Sequence, residues 1–152
     1  MLHHLPIPAA DPQHVAATLV ALFNGTMTVF GPYRNSYIAW VGDEHGTGIE
    51  VYPLGTELIP REGQSPPQFR HNPTTSPFGA THAALSVPRT TEEIFALAQQ
   101  EGWRALELSR GQFRVIEFWI ENHVMLELMT EEMAQEYLQA TSILRKHTRP
   151  IE

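Results

Sequence analysis

Cysteine is absent from all 152 residues, which excludes disulfide staples, thiolate zinc sites, iron–sulfur clusters and cysteine nucleophiles together. Any metal must therefore sit on His, Asp and Glu. Long hydrophobic runs are missing too. No stretch approaches the roughly 20 consecutive apolar residues that a membrane helix needs, and no membrane partner is expected. Positive charge is scarce. Ten Lys and Arg against 17 Asp and Glu leave a formal net charge of −7 with histidines neutral. A nucleic-acid backbone would be repelled, and no nucleic-acid partner is expected. The start of the chain, Met1 to Pro6, lacks the basic patch and apolar run of a secretory signal, so a cytoplasmic location is expected.

What is present suffices for a sizeable core: 42% of residues are hydrophobic, and a globule of this length removes roughly two-thirds of its unfolded surface from water. His3 to Pro8 reads as a strand. Asp11-Pro12 then gives an N-cap and a first-turn proline, with Val15, Ala16, Leu19, Val20, Leu22 and Phe23 at helical spacing before Asn24-Gly25. A helix over 12–23 follows from this. Residues 26–30, 36–41 and 47–52 are β-branched and aromatic runs separated by turn residues. From Pro53 to Gly79, prolines at 53, 60, 66, 67, 73 and 77 predict a long loop, a linker or a flap.

The pattern then restarts. A strand over 81–87, a helix capped by Thr90 or Thr91 and ended by Gly102, and strands over 103–108, 112–120 and 123–129 are predicted. Arg110-Gly111 and Glu121-Asn122 supply the hairpin turns. A final helix from Thr130 to Leu144 would pack through Met133, Tyr137, Leu138 and Leu144. The division is thus a first βαβββ module over 1–53, a Pro-rich linker or flap over 54–79, a second βαβββ module over 80–129, and a helix and tail over 130–152.

The two copies can be registered. His4 and His82 lie 82 − 4 = 78 residues apart, and Glu50 and Glu127 lie 127 − 50 = 77 apart. Strand alternation sets Leu5 and Ile7 opposite His4, Ala83 and Leu85 opposite His82, Ile49 and Val51 opposite Glu50, and Leu126 and Leu128 opposite Glu127. Two imidazoles and two carboxylates would then share the non-helical face. A lone histidine opening a strand is ordinarily a half-buried polar group, and a lone Glu between aliphatics ordinarily faces solvent. Four such residues in repeat register are a different matter. Glu117 and Trp119 should share the same face, where a buried Glu117 could aid catalysis but would more often be salt-bridged to Arg114 or Arg34 or reach the rim. His3, His14, His45, His71 and His123 fall in edge, turn or loop positions.

These residues resemble the vicinal oxygen chelate superfamily, the group of glyoxalases, bleomycin-resistance proteins and extradiol dioxygenases. His4 precedes Asp11 by seven residues, as His82 precedes Arg89. The apolar-Glu-apolar triplets Ile49-Glu50-Val51 and Leu126-Glu127-Leu128 also match the superfamily pattern. The resemblance implies an α+β fold in which two βαβββ modules form an incomplete, cupped β-barrel with helices outside, followed by the C-terminal helix. It implies His4, Glu50, His82 and Glu127 as ligands of one divalent metal, Ni, Co, Zn, Mn or Fe. It also implies a glyoxalase-like isomerase or lyase for a small substrate with vicinal oxygens, with Glu127 or Glu50 as the catalytic base, and a homodimer that buries open sheet edges. The stretch Asp11-Pro12-Gln13-His14-Val15 departs from the glyoxalase I pattern, so a glutathione thiohemiacetal is not the expected substrate. The alternatives are a metal-free antibiotic-binding protein of the bleomycin-resistance type, or a three-ligand dioxygenase or transferase using His4, His82 and Glu127.

Overall fold

The computed structural model describes the backbone of residues 2–147 and the side chains of residues 2–142. The chain divides into two units, Met1–Thr81 and His82–Glu152.

In the first unit, β1 (His4–Ala9) leads into α1 (Pro12–Phe23), β2 (Thr26–Val29), β3 (Tyr37–Trp40) and β4 (Gly48–Pro53). The Asp11 carboxylate accepts from the His14 amide at 3.1 Å, and Asn24 ends the helix in the left-handed region at φ 56°. Strand order is β1-β4-β3-β2, with β1 and β4 parallel and the other pairs antiparallel. The α1 face of Val15, Ala16, Leu19, Leu22 and Phe23 is buried together with Ile7, Ile49 and Val51 of the sheet. This burial fixes the register, because a one-residue slip would turn Ile49 and Val51 outward.

The proline-rich stretch, expected as a long loop, a linker or a flap, has secondary structure of its own. It contains a hairpin, β5 (Thr56–Ile59) with β6 (Gln68–His71), forming its own two-stranded sheet. Its prolines at 60, 66 and 67 lie between the strands, where no ladder amide is required. Glu57 locks the hairpin by accepting from Arg70 Nε at 3.0 Å and Asn72 Nδ2 at 2.6 Å. Phe69 stacks on Tyr33 and Tyr52, with ring centroids 5.2 and 5.9 Å away.

The second unit repeats the order: β7 (Ala83–Ser86), α2 (Thr91–Glu101), β8 (Arg104–Ser109), β9 (Arg114–Ile120) and β10 (Val124–Met129), in a sheet ordered β7-β10-β9-β8. Thr90 and Glu93 form a reciprocal capping box, and Gly102 closes α2 in the left-handed region. Ile94, Ala98, Ile116, Phe118, Leu126 and Leu128 are buried. Neither four-stranded sheet closes on itself, and the architecture is α+β.

The β8–β9 connection is four residues, 110–113, so Gln112 and Phe113 belong to the turn rather than to the strand; the Arg110 amide donates to the Phe113 carbonyl at 2.7 Å. The C-terminal helix α3 (Glu131–His147) buries Met133 and Ala140, with Tyr137 edge-on to Phe113, while Leu138 is 65% exposed. Positions 133, 137 and 140 make one helical stripe, and Leu138 falls outside it. The Leu144 side chain lies outside those described. No helix among the described residues is long and apolar enough to cross a membrane.

Candidate functional site

In the first unit, the parallel register pairs His4 with Gly48 and Pro6 with Glu50. His4 and Glu50 therefore lie on one face, two residues apart along the ladder. The Glu50 side chain is only 12% exposed, and its Oε1 lies 3.8 Å from Nε2 of a far more open His4. Its other oxygen, Oε2, accepts a hydrogen bond from the Tyr52 hydroxyl at 3.2 Å. Burial, and then the charge of Glu50, push the Tyr52 phenol above its ordinary value, so it remains a proton donor. Ile38 stands opposite Glu50 on β3, and the edge of the Phe30 ring covers Tyr52. Gly48 has a local reason: a Cβ there would come within 2.8 Å of Ile38 Cδ1, beneath His4. Ser36, just before β3, is fully buried, and its hydroxyl has no hydrogen-bond partner among the described residues.

The second unit builds the same relation on its own strands. Ala83 pairs with Leu126 and Ala84 with Glu127. Continuing that parallel register by one residue sets His82 across from Met125, two residues from Glu127, as His4 is from Glu50. His82 itself precedes β7 and is exposed. Glu127 is directly opposite Glu117 on β9, and both side chains are 14% exposed. Two carboxylates side by side on an antiparallel pair repel unless a cation joins them. Arg110 supplies it. Its Nη2 reaches Glu117 Oε1 at 2.7 Å and Glu127 Oε1 at 2.8 Å, and its Nε reaches Glu127 Oε1 at 3.0 Å. The Trp119 indole donates to the second oxygen of Glu117 at 3.2 Å. The hydrogen bond from Arg110, opposed by burial and aided by Trp119, holds the Glu117 carboxyl below the usual carboxylate range.

Sequence reasoning assigned the partner of Glu117 to Arg114 or Arg34; the structure gives Arg110. Arg114 is drawn away to Glu136, with Nε to Oε1 at 3.1 Å. Arg110 lies in the four-residue 110–113 turn, where the sequence predicts a two-residue turn of Arg110-Gly111. Among the remaining histidines, His3 contacts the His45 carbonyl through Nδ1 at 3.0 Å, His45 lies 3.7 Å from Glu44, and His71 ends β6.

Each unit offers one imidazole and one carboxylate, donor types of hard-to-borderline character that suit a divalent metal. Ligand bonds of about 2.0–2.2 Å put neighbouring donor atoms about 3–3.5 Å apart, so His4 and Glu50 need only a small rotation of an open imidazole to share an ion. Among the described residues, no group of three or more His, Cys, Asp or Glu lies close enough together to hold a metal ion. Glu127 already carries a cation, the Arg110 guanidinium.

No family model matches the sequence, and no curated protein matches it. Solved structures do match. The chain is similar to the fosfomycin resistance protein FosX of Mesorhizobium loti at 12% identity and a TM-score of 0.53, over 90% of this chain and 96% of that one. It is similar to the genomically encoded FosX of Listeria monocytogenes complexed with Mn(II) and sulfate, at 17% identity and a TM-score of 0.56, over 90% and 97% of the two chains. A mutant of the Listeria protein complexed with Mn(II) and 1S,2S-dihydroxypropylphosphonic acid gives 15% identity and a TM-score of 0.57 over 91% and 97%. The chain has the fold of the vicinal oxygen chelate superfamily.

Proposed function

We propose that this protein is a divalent-metal-dependent lyase or isomerase of glyoxalase type, acting on a small substrate that chelates through oxygens on adjacent carbons, with His4, Glu50, His82 and Glu127 as the metal ligands. One observation carries the reading. In each unit a glutamate on the last strand is offset two residues along the parallel register from a histidine, His4 at the start of β1 in the first unit and His82 just before β7 in the second. The Listeria relative, complexed with Mn(II) and a phosphonate bearing two hydroxyls, supports the metal and the substrate class. We further propose a homodimer, in which a second copy covers open sheet edges.

A bound divalent ion would supply a Lewis acid for the substrate carbonyl and the developing enediolate. The chain's own residues do the rest. Arg110 and Trp119 fix Glu117 on both of its oxygens, which makes it a rigid wall rather than a base. Glu127, whose Oε1 carries the Arg110 guanidinium before metal binds, would give one oxygen to the ion and use the other to accept the proton from the carbon next to the carbonyl. Glu50, anchored by Tyr52, keeps one oxygen toward His4.

The test is metal analysis and calorimetric titration of protein purified without a histidine tag, with Mn²⁺, Ni²⁺ and Zn²⁺, on wild type, Glu50→Ala and Glu127→Ala. Stoichiometric binding weakened at least about 10-fold in both variants is expected, since outer-sphere losses alone reach that size. Wild-type-like binding in both would refute the four-ligand site, and loss in Glu127→Ala alone would favour the three-ligand dioxygenase or transferase. A second reading, a metal-free small-molecule binding protein of the bleomycin-resistance type, is favoured by the Arg110 pairing, because a guanidinium already neutralises Glu127. It predicts no stoichiometric metal in wild type and no difference among the variants.

A further inference from the structure

We infer that Arg110 is a built-in cation that holds the second unit's carboxylate pair together and competes with a divalent metal for Glu127. The inference rests on the metal-site reading above and adds the residue that sets its affinity. Glu117 and Glu127 face each other across β9 and β10, both largely removed from water, and a single guanidinium bridges them. The bridge is unequal. Glu117 is engaged on both oxygens, by Arg110 and by Trp119, whereas both of Arg110's bonds to Glu127 land on one oxygen. A metal at Glu127 thus contends with two of the three Arg110 hydrogen bonds, and an arginine displaced from Glu127 keeps its bond to Glu117.

The exchange follows from electrostatics. Arg110 and a divalent ion are like charges, and on one carboxylate oxygen they would stand within a few ångströms in a half-buried setting where screening is weak. A metal on Oε1 displaces the Nε and Nη2 contacts, and one on Oε2 stands as a like charge beside the guanidinium, so in either case the measured affinity is the intrinsic one reduced by the presence of Arg110. Arg110 sits in the four-residue 110–113 turn and is about one-third exposed, so its side chain can swing outward without disturbing a ladder.

Calorimetric titration with Mn²⁺ at low ionic strength tests this on wild type, Arg110→Ala, Arg110→Lys and the double variant Arg110→Ala/Glu127→Gln. Arg110→Ala should bind Mn²⁺ at least about 10-fold more tightly than wild type. Arg110→Lys keeps the charge but loses the two-nitrogen grip and should fall between. The gain should vanish in the double variant. Thermal unfolding supplies a readout independent of activity: the metal-free Arg110→Ala protein should melt below wild type, because two facing carboxylates lose their cation, and saturating Mn²⁺ should raise its melting temperature by more than it raises that of wild type. Equal or weaker Mn²⁺ binding in Arg110→Ala, beside stoichiometric binding in wild type, would overturn the competition and leave the metal site standing. No binding in either would remove the metal site and the competition together. Binding in Arg110→Ala alone would mean that Arg110 fully blocks the site in wild type.

Discussion

The Tyr52 hydroxyl donates to Oε2 of Glu50 at 3.2 Å, and the other oxygen of the same carboxylate faces His4. The two residues are i and i+2 on β4, so strand alternation alone places the phenol beside the carboxylate. A half-buried carboxylate held at one oxygen loses a rotation it would otherwise have, and it presents the remaining oxygen in a fixed direction. Tyr52→Phe keeps the ring stack and removes only the hydroxyl. It should weaken Mn²⁺ affinity several-fold while lowering stability by about 1 kcal/mol, the net worth of one hydrogen bond. Titration and urea unfolding on the same preparation check both, and unchanged affinity would show that Tyr52 does not position Glu50.

Gly25 lies just past α1, where a Cβ would run into the backbone carbonyl oxygen of Trp40. Backbone cannot move aside as a side-chain tip can, and Trp40 ends the strand that pairs with Gly48. Gly25→Ala should therefore cost about 2 kcal/mol or more, by overpacking at a site that cannot relax. A urea midpoint within about 0.5 kcal/mol of wild type would mean that β3 has more freedom at Trp40 than this contact allows.

The two βαβββ patterns were legible because each helix and strand buries one periodic face. Val15, Leu19, Ile49 and Leu126 announce themselves by spacing, and burial follows the spacing. The same alternation put Glu50, Glu117 and Glu127 on the open faces. What spacing could not reveal was the β5–β6 hairpin and Arg110. The hairpin is held by Glu57, Arg70, Asn72 and the Phe69 stack, contacts set by pairing across an eight-residue connection that composition alone marks as loop. Arg110 depended on turn length, and one Gly after an arginine fits a two-residue or a four-residue turn equally well.

Phe69 ties that hairpin to β4 through its stack on Tyr52 and also stacks on Tyr33. Two aromatic pairs are worth about 0.5–1.5 kcal/mol each beyond area burial. Phe69→Ala should lower stability by about 1–3 kcal/mol and speed proteolytic cleavage in the 60–67 connection, while β5 and β6 retain the Glu57 clamp. Limited proteolysis followed by mass mapping checks the site of cleavage. Unchanged cleavage there would mean that the clamp, not the stack, holds the hairpin.

Acid should act on the Arg110 bridge in a defined direction. Glu117 has its folded pKa lowered, first by the Arg110 hydrogen bond, with Trp119 assisting against burial. A depressed carboxylate contributes stability that is present above its unfolded value, about 4.3, and that is lost as pH falls through the lower folded value. The window is therefore below about pH 4.5. Glu57 and Glu136 are lowered too, by Arg70 and Arg114, but their ion pairs lie at the surface and are screened by salt. Glu117 is 14% exposed and should keep its contribution at high ionic strength. Urea midpoints of wild type and Glu117→Gln at pH 7 and pH 3.5, each in 0.5 M salt, isolate it. The acid-induced drop should be smaller in Glu117→Gln, which has no proton to gain. Equal drops in the two proteins would place the acid sensitivity elsewhere and reduce the Arg110 bridge to a contact without linkage to folding.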